Sequence, residues 1–116
     1  MVGSTAAFAV AMNEIASEVV LVDINEKLAR AQSEDLFDAT PFGSAVRVCA
    51  GDYEQLRGAG VVVICCGTAQ RPGGETRLHL QSRNAAIFRQ VVPRLVEAAP
   101  DAVLIVACNP LDIMTG

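Results

Sequence analysis

Short, uniformly apolar runs alternate along the chain with longer stretches whose apolar residues recur at helical spacing. Gly3 to about Asn13 is rich in Ala and is predicted to be a helix. Val19-Val20-Leu21-Val22-Asp23 is a strand-length run that ends in an acid. Asn25 is a good N-cap, and Ile24, Leu28 and Ala31 follow at helical spacing, predicting a helix up to about Ala39. Thr40-Pro41-Phe42-Gly43 breaks that helix. Val46 to Cys49 reads as a second strand, and Asp52 caps one or two helical turns reaching about Arg57. Val61 to Cys66 is a third strand, Gly67 to Gly74 a loop, and Glu75 to Ala98 a long helix that Pro93 should kink or interrupt. Ala102 to Ala107 is a fourth strand, running into Asn109-Pro110.

Apolar strands alternating with helices predict a parallel sheet covered on both faces by helices, an α/β doubly wound fold of Rossmann type. In such sheets ligands bind beyond the C-terminal ends of the strands. Those ends are Asp23, Cys49 to Tyr53, Gly67 to Gln70 and Cys108-Asn109, and the chemistry is expected among them.

The length of 116 residues suits one domain. Hydrophobic residues make up 52% of the chain, which excludes a disordered protein. Aromatics are 4% with no Trp, and the net charge is -4, so neither base stacking nor a phosphate backbone has its usual partner here. No run approaches the roughly 18 apolar residues of a membrane span. No Lys or Arg precedes the apolar N-terminus, so no secretion signal is expected. Cys49, Cys65, Cys66 and Cys108 lie in or beside apolar runs without C-x-x-C spacing; they read as buried thiols in a reducing cytoplasm. With one His and no ligand spacing, no metal site is expected.

Asp23 lies 20 residues past Gly3. A dinucleotide fold places an acid about 20 residues past its Gly-rich turn, where the carboxylate accepts from the adenosine ribose hydroxyls. An acid there repels a 2′-phosphate, which favours NAD over NADP. The bland alternative is a cap on the following helix. In the loop, Gln70, Arg71 and Arg77 are able to hold a carboxylate or polarise a carbonyl. The alternative is a mobile, solvated loop. His79, the one His, reads best as a surface residue of the following helix.

Val2-Gly3-Ser4, Asp23, the loop from Gly67 to Arg77, Arg83-Asn84 and Asn109-Pro110-Leu111-Asp112 occur in this order over essentially the whole chain. Together they resemble the NAD-dependent lactate/malate dehydrogenase family, on the lactate side. The resemblance implies an oxidoreductase that interconverts pyruvate and L-lactate by hydride transfer with NAD. It implies that Arg77 polarises the substrate carbonyl when the loop closes, that Gln70 takes the specificity position, and that Asn109 bonds the substrate oxygen. Val2, Gly3, Asp23, Tyr53, Gly67, Thr68, Ala107 and Asn109 would line the cofactor groove. The bond before Pro110 is commonly cis in the family.

Three departures are visible. The family's first strand and two of its three fingerprint glycines are absent, so residues 1–116 read as a partial NAD-binding domain, an N-terminal fragment. The strands that flank the first strand in the family order would then expose edges or pair with each other. The loop holds one more Gly than the usual Pro-Gly-Glu-x-Arg; placing it at Gly73 or Gly74 keeps Gln70, whereas counting back from Arg77 gives Arg71. The family's substrate-carboxylate Arg and its His–Asp pair come from the following half, so the 116-residue chain alone is expected to be catalytically incompetent. A malate dehydrogenase-like fragment, a non-catalytic nucleotide-binding module, and a ligand-free remnant pairing through its open edge are the alternatives. A small 2-hydroxy or 2-oxo acid is the expected partner, with homo-oligomers expected of the full-length family.

Overall fold

The computed structural model describes residues 2–40, 45–108 and 114–115. It divides into two compact units, Met1–Arg57 and Gly58–Gly116. The first runs α1 (Val2–Met12), β1 (Glu18–Leu21), α2 (Glu26–Ala39), β2 (Arg47–Ala50) and a 3-10 helix (Tyr53–Leu56). The second runs β3 (Val61–Ile64), α3 (Arg77–Ala98) and β4 (Val103–Val106).

In the first unit β1 and β2 pair in parallel from Glu18↔Arg47 to Leu21↔Ala50. Arg47 N donates to Ser17 O and Gly51 N to Leu21 O, extending the ladder at both ends. The strand stops before Val22 and Asp23, which are exposed. Ala7 and Ala11 of α1, Ala29 and Leu36 of α2, Val46 and Leu56 form its core. Asn25 caps α2, its side chain accepting from Leu28 N at 3.1 Å. The buried stripe of α2 is Ala29, Ser33 and Leu36, not the predicted Ile24, Leu28 and Ala31. Both stripes keep helical spacing, but they are five residues out of step, about 140° apart around the helix. The small Ala29 and Ser33 turn inward, while Leu28 is 44% exposed and Ile24 fully so. Burying Leu36 alone contributes about 1.5–3 kcal/mol.

In the second unit β3 and β4 pair in parallel from Val61↔Val103 to Ile64↔Val106. Val103 N donates to Gly60 O and Ala107 N to Ile64 O, both at 2.9 Å. Ile64, Phe88, Leu95 and Ala99 are its buried apolar residues. The other strand face, Val61, Val63, Val103 and Ile105, is exposed. The expected cover on both faces is therefore met on one face only among the described residues.

The parallel pairing is as predicted. The two pairs are separate sheets, and β1 and β3 do not pair with each other among the described residues. The long helix begins at Arg77, two residues later than expected, because Thr76 is its N-cap. It continues unbroken through Pro93. Pro93 and Arg89, whose carbonyl loses its usual helix donor there, are both exposed, so water can serve that carbonyl.

Candidate functional site

The predicted residues fall into both units, and each group is described within its own unit. In the first, α1 starts at Val2 and Gly3, so its first backbone N–H groups have no partner within the helix. Such an end attracts a phosphate through its N–H groups and dipole. Asp23 follows the C-terminal end of β1 and is exposed. Its Oδ1 accepts from Asn25 N at 2.8 Å. One carboxylate oxygen thus steadies the turn into α2, and the other makes no hydrogen bond among the described residues. The helix cap is Asn25, not Asp23. Tyr53 opens the 3-10 helix and is half-buried. Asp52 and Gln55 form a capping box there: Gln55 Oε1 accepts from Asp52 N, and Asp52 Oδ1 accepts from Glu54 N.

In the second unit the loop after β3 is tied to the second turn of α3 by two neighbouring residues. Asn84 is buried, with 2% of its surface exposed. Its Oδ1 accepts from Thr68 N at 2.9 Å and from Thr68 Oγ1 at 3.2 Å. A Cβ on Gly67 would stand 3.5 Å from that same oxygen, so the loop backbone lies directly against the amide. Arg83 donates from Nε to Glu75 Oε1 and from Nη2 to Glu75 Oε2, both at 2.7 Å. Arg83 Nη2 also donates to Ala69 O at 3.1 Å.

Glu75 gathers the rest of the loop. Its Oε2 accepts from Arg71 N at 2.8 Å, and its backbone oxygen accepts from Gln70 Nε2 at 2.6 Å. The Arg83 guanidinium, and after it the Arg71 N–H, hold the Glu75 carboxyl below the usual carboxylate range. Gly73 and Gly74 have φ of 107° and 90°, where L side chains are strained. Both therefore belong to the turn as glycines, and neither is a spare residue.

Arg77 is the first residue of α3 and is exposed. A cation at a helix N-terminus opposes the dipole, at a cost of about 0.3–1 kcal/mol. Among the described residues its guanidinium has no carboxylate partner, so its charge is open to a ligand. The side chain of Gln70 is spent on Glu75 O, whereas the Arg71 guanidinium makes no hydrogen bond among the described residues. His79 is exposed, and its backbone N donates to the Thr76 cap.

Ala107 and Cys108 follow β4, both half-buried. Asn109, Pro110 and Asp112 lie outside the described residues, as does the predicted break at residues 41–43. The cysteines are half-buried rather than buried, and none is in a disulfide. The predicted strands overran: Cys65 and Cys66 lie past the last β3–β4 pair, where burial is incomplete. What burial they have pushes the Cys65 and Cys108 thiols up, so neither is an activated thiolate. No metal-binding cluster occurs among the described residues. No helix there is long and apolar enough to cross a membrane.

Glu75, Arg83 and Asn84 hold the loop, yet sequence reasoning gave them no role. Asn84 carried a signal. It lies on the helix stripe with Phe88, four residues on, and Asn is a poor helix former that seldom sits buried without a partner.

Parallel strand pairs alternating with helices, with a polar loop after β3, make an α/β domain. The family profile described as the lactate/malate dehydrogenase NAD-binding domain matches residues 1–116, and the chain belongs to that family. It is 57% identical over 115 residues to an L-lactate dehydrogenase of Allorhizobium ampelinum, covering 99% of this chain and 37% of that protein. It is 54% identical to an L-lactate dehydrogenase of Thermus aquaticus, covering 98% of this chain and 36% of that protein. Among solved structures, malate dehydrogenase from Archaeoglobus fulgidus in complex with NADH matches with a TM-score of 0.89 and 37% identity, covering 97% of this chain and 39% of that one. The ligand-bound minor L-lactate dehydrogenase of Enterococcus mundtii gives 0.88 and 36%, covering 97% and 36%. The chain thus spans little more than a third of the length of these relatives.

Proposed function

We propose that the protein is an NAD-dependent L-lactate dehydrogenase and that residues 1–116 are part of its NAD-binding domain. The observation that carries this reading is the loop from Gly67 to Arg77. It presents Arg77, without a carboxylate partner among the described residues, and Gln70 held on the Glu75 backbone oxygen, within a chain whose whole length matches this family.

The residues fit the cofactor. The first turn of α1 at Val2-Gly3 suits a pyrophosphate, and Asp23 keeps one carboxylate oxygen for a ribose diol. Tyr53 in the first unit, and Gly67, Thr68, Ala107 and Asn109 in the second, are the further residues proposed to hold the cofactor. NAD, when bound, accepts or supplies the hydride. Arg77 donates to the substrate carbonyl oxygen, drawing electron density from the carbon that changes oxidation state. Gln70 exchanges its bond to Glu75 O for the substrate end that carries the methyl group, and Asn109 bonds the substrate oxygen. A cytoplasmic homo-oligomer is the form proposed for the protein.

Arg71 supports a second reading. Its exposed guanidinium neighbours Gln70 and suits the second carboxylate of oxaloacetate. The two readings are separated by kcat/KM for pyruvate against oxaloacetate, followed by NADH oxidation in the native protein from its source. Pyruvate is expected to lead, and Arg77→Gln is expected to lower kcat by about 10²–10³. No oxidation with either acid would overturn the oxidoreductase reading.

A further inference from the structure

We propose that Glu75 and Arg83 form a latch that positions the substrate loop, and that Gln70 and Arg77 act through the geometry this latch sets. The inference rests on the oxidoreductase reading above. Four separate tethers meet at this pair. Two parallel N–H···O bonds of 2.7 Å join Arg83 to Glu75, a planar fork that fixes orientation as well as distance. The same carboxylate holds Arg71 N, and the same guanidinium holds Ala69 O. The backbone of Glu75 holds the Gln70 amide.

The pair is shielded, with the Glu75 side chain 10% exposed and that of Arg83 24%. Glu75 precedes Arg77 by two residues, across the Thr76 cap. A loop residue and a helix residue eight positions apart thus fix where the loop ends and α3 begins. Arg77 emerges at that junction. Neither latch residue need touch substrate. Each acts through Gln70, Arg71 and Arg77, and a displacement of about 1 Å in such a group can cost a hundredfold in rate.

Arg83→Lys keeps the charge but loses the fork, and Glu75→Gln keeps the shape but loses the charge. Both are made in the native full-length protein and compared by three measurements. Amide hydrogen exchange over residues 68–76 reads the latch itself. Steady-state kinetics read its consequence, and a thermal melt shows that the fold survives. In both variants Arg71 N is expected to lose protection and kcat with pyruvate to fall about tenfold to a hundredfold. KM for NADH stays unchanged. The double variant is expected to be no slower than the worse single one, since the two residues act as one unit.

Unchanged protection of Arg71 N overturns the latch. Lost protection with unchanged kcat leaves a local tether and overturns the positioning role. A fall confined to KM for NADH does the same. Should the wild type fail to oxidise NADH with either 2-oxo acid, the oxidoreductase reading fails and the positioning role with it. The exchange measurement then still decides whether the pair holds the loop.

Discussion

Replacing Asn84 with Ala tests whether the loop is anchored from inside the fold. Asn84 is 2% exposed, and its Oδ1 accepts two hydrogen bonds from Thr68. Each neutral bond contributes about 0.5–1.5 kcal/mol net. The backbone bond at 2.9 Å belongs in the upper half of that range, and the hydroxyl bond at 3.2 Å in the lower half. Thr68 is exposed, so water can serve its freed hydroxyl, which lowers the loss further. The truncation also leaves a small gap beneath Gly67, whose backbone lies against the amide. The expected cost is about 2 kcal/mol, or roughly 8 °C in Tm for a domain of this size. Urea unfolding followed by circular dichroism gives the stability. Thr68→Val deletes the weaker bond alone and should cost no more than about 1 kcal/mol. In the double variant the two effects should fall short of their sum, because they share that bond. An Asn84→Ala variant within about 0.5 kcal/mol of wild type, the usual range of a surface change, would refute the anchor.

Three further outcomes follow from the same geometry. Asp23→Ala should weaken NAD about tenfold or more, the value of a charge-assisted hydrogen bond, and calorimetric titration checks it; equal affinity would remove Asp23 from the cofactor site. The Glu75 carboxyl is held below its ordinary value, so its contribution to stability is complete above the unfolded carboxylate pKa of about 4.3 and is lost as pH falls through the lower folded value. The stability gap between wild type and Glu75→Gln should therefore be widest near neutral pH and close in acid; a gap independent of pH in urea titrations would contradict the ion pair. Gly74→Ala should cost about 1–2 kcal/mol although nothing lies within 4 Å of the added Cβ, since its φ of 90° strains any L side chain. An unchanged Tm for that variant would show that the turn relaxes freely.

From α1 to β4, among the described residues, the sequence pattern located the helices and strands and missed chiefly their ends. Strand ends are set by the last ladder bond, and apolar character runs past that point. Val22, Cys65, Cys66 and Ala107 continue the apolar runs yet lie beyond the pairing. The start of α3 was misplaced because Glu75 is a good helix former, while the Thr76 hydroxyl takes the His79 N–H and so fixes the cap one residue later. The stripe of α2 was misread because large apolar residues were followed, and the side facing in carries Ala29 and Ser33. What the sequence offered as candidates were the long polar side chains of a glycine-rich loop, Gln70, Arg71 and Arg77. The site was not legible where two residues distant in sequence share bonds, as at Glu75 and Arg83. Nothing in the pattern of one loop says which helix residue it meets.

The tethers also divide the loop into parts with different freedom. Gly67 to Ala69 are tied to Asn84 and Arg83, and Arg71 and Glu75 to each other. Pro72, Gly73 and Gly74 make no hydrogen bond among the described residues, and a Cβ at either glycine would meet open space. Local opening has its lowest free energy where contacts are fewest and the backbone is most exposed. Motion of the loop should therefore be concentrated in three residues, with Gln70 on one side and Arg77 on the other. Gln70 and Arg71 stay on the anchored side of these three residues, and α3 keeps Arg77 at its N-terminus. Gly73 and Gly74, both at positive φ, let this segment turn without disturbing either anchored part.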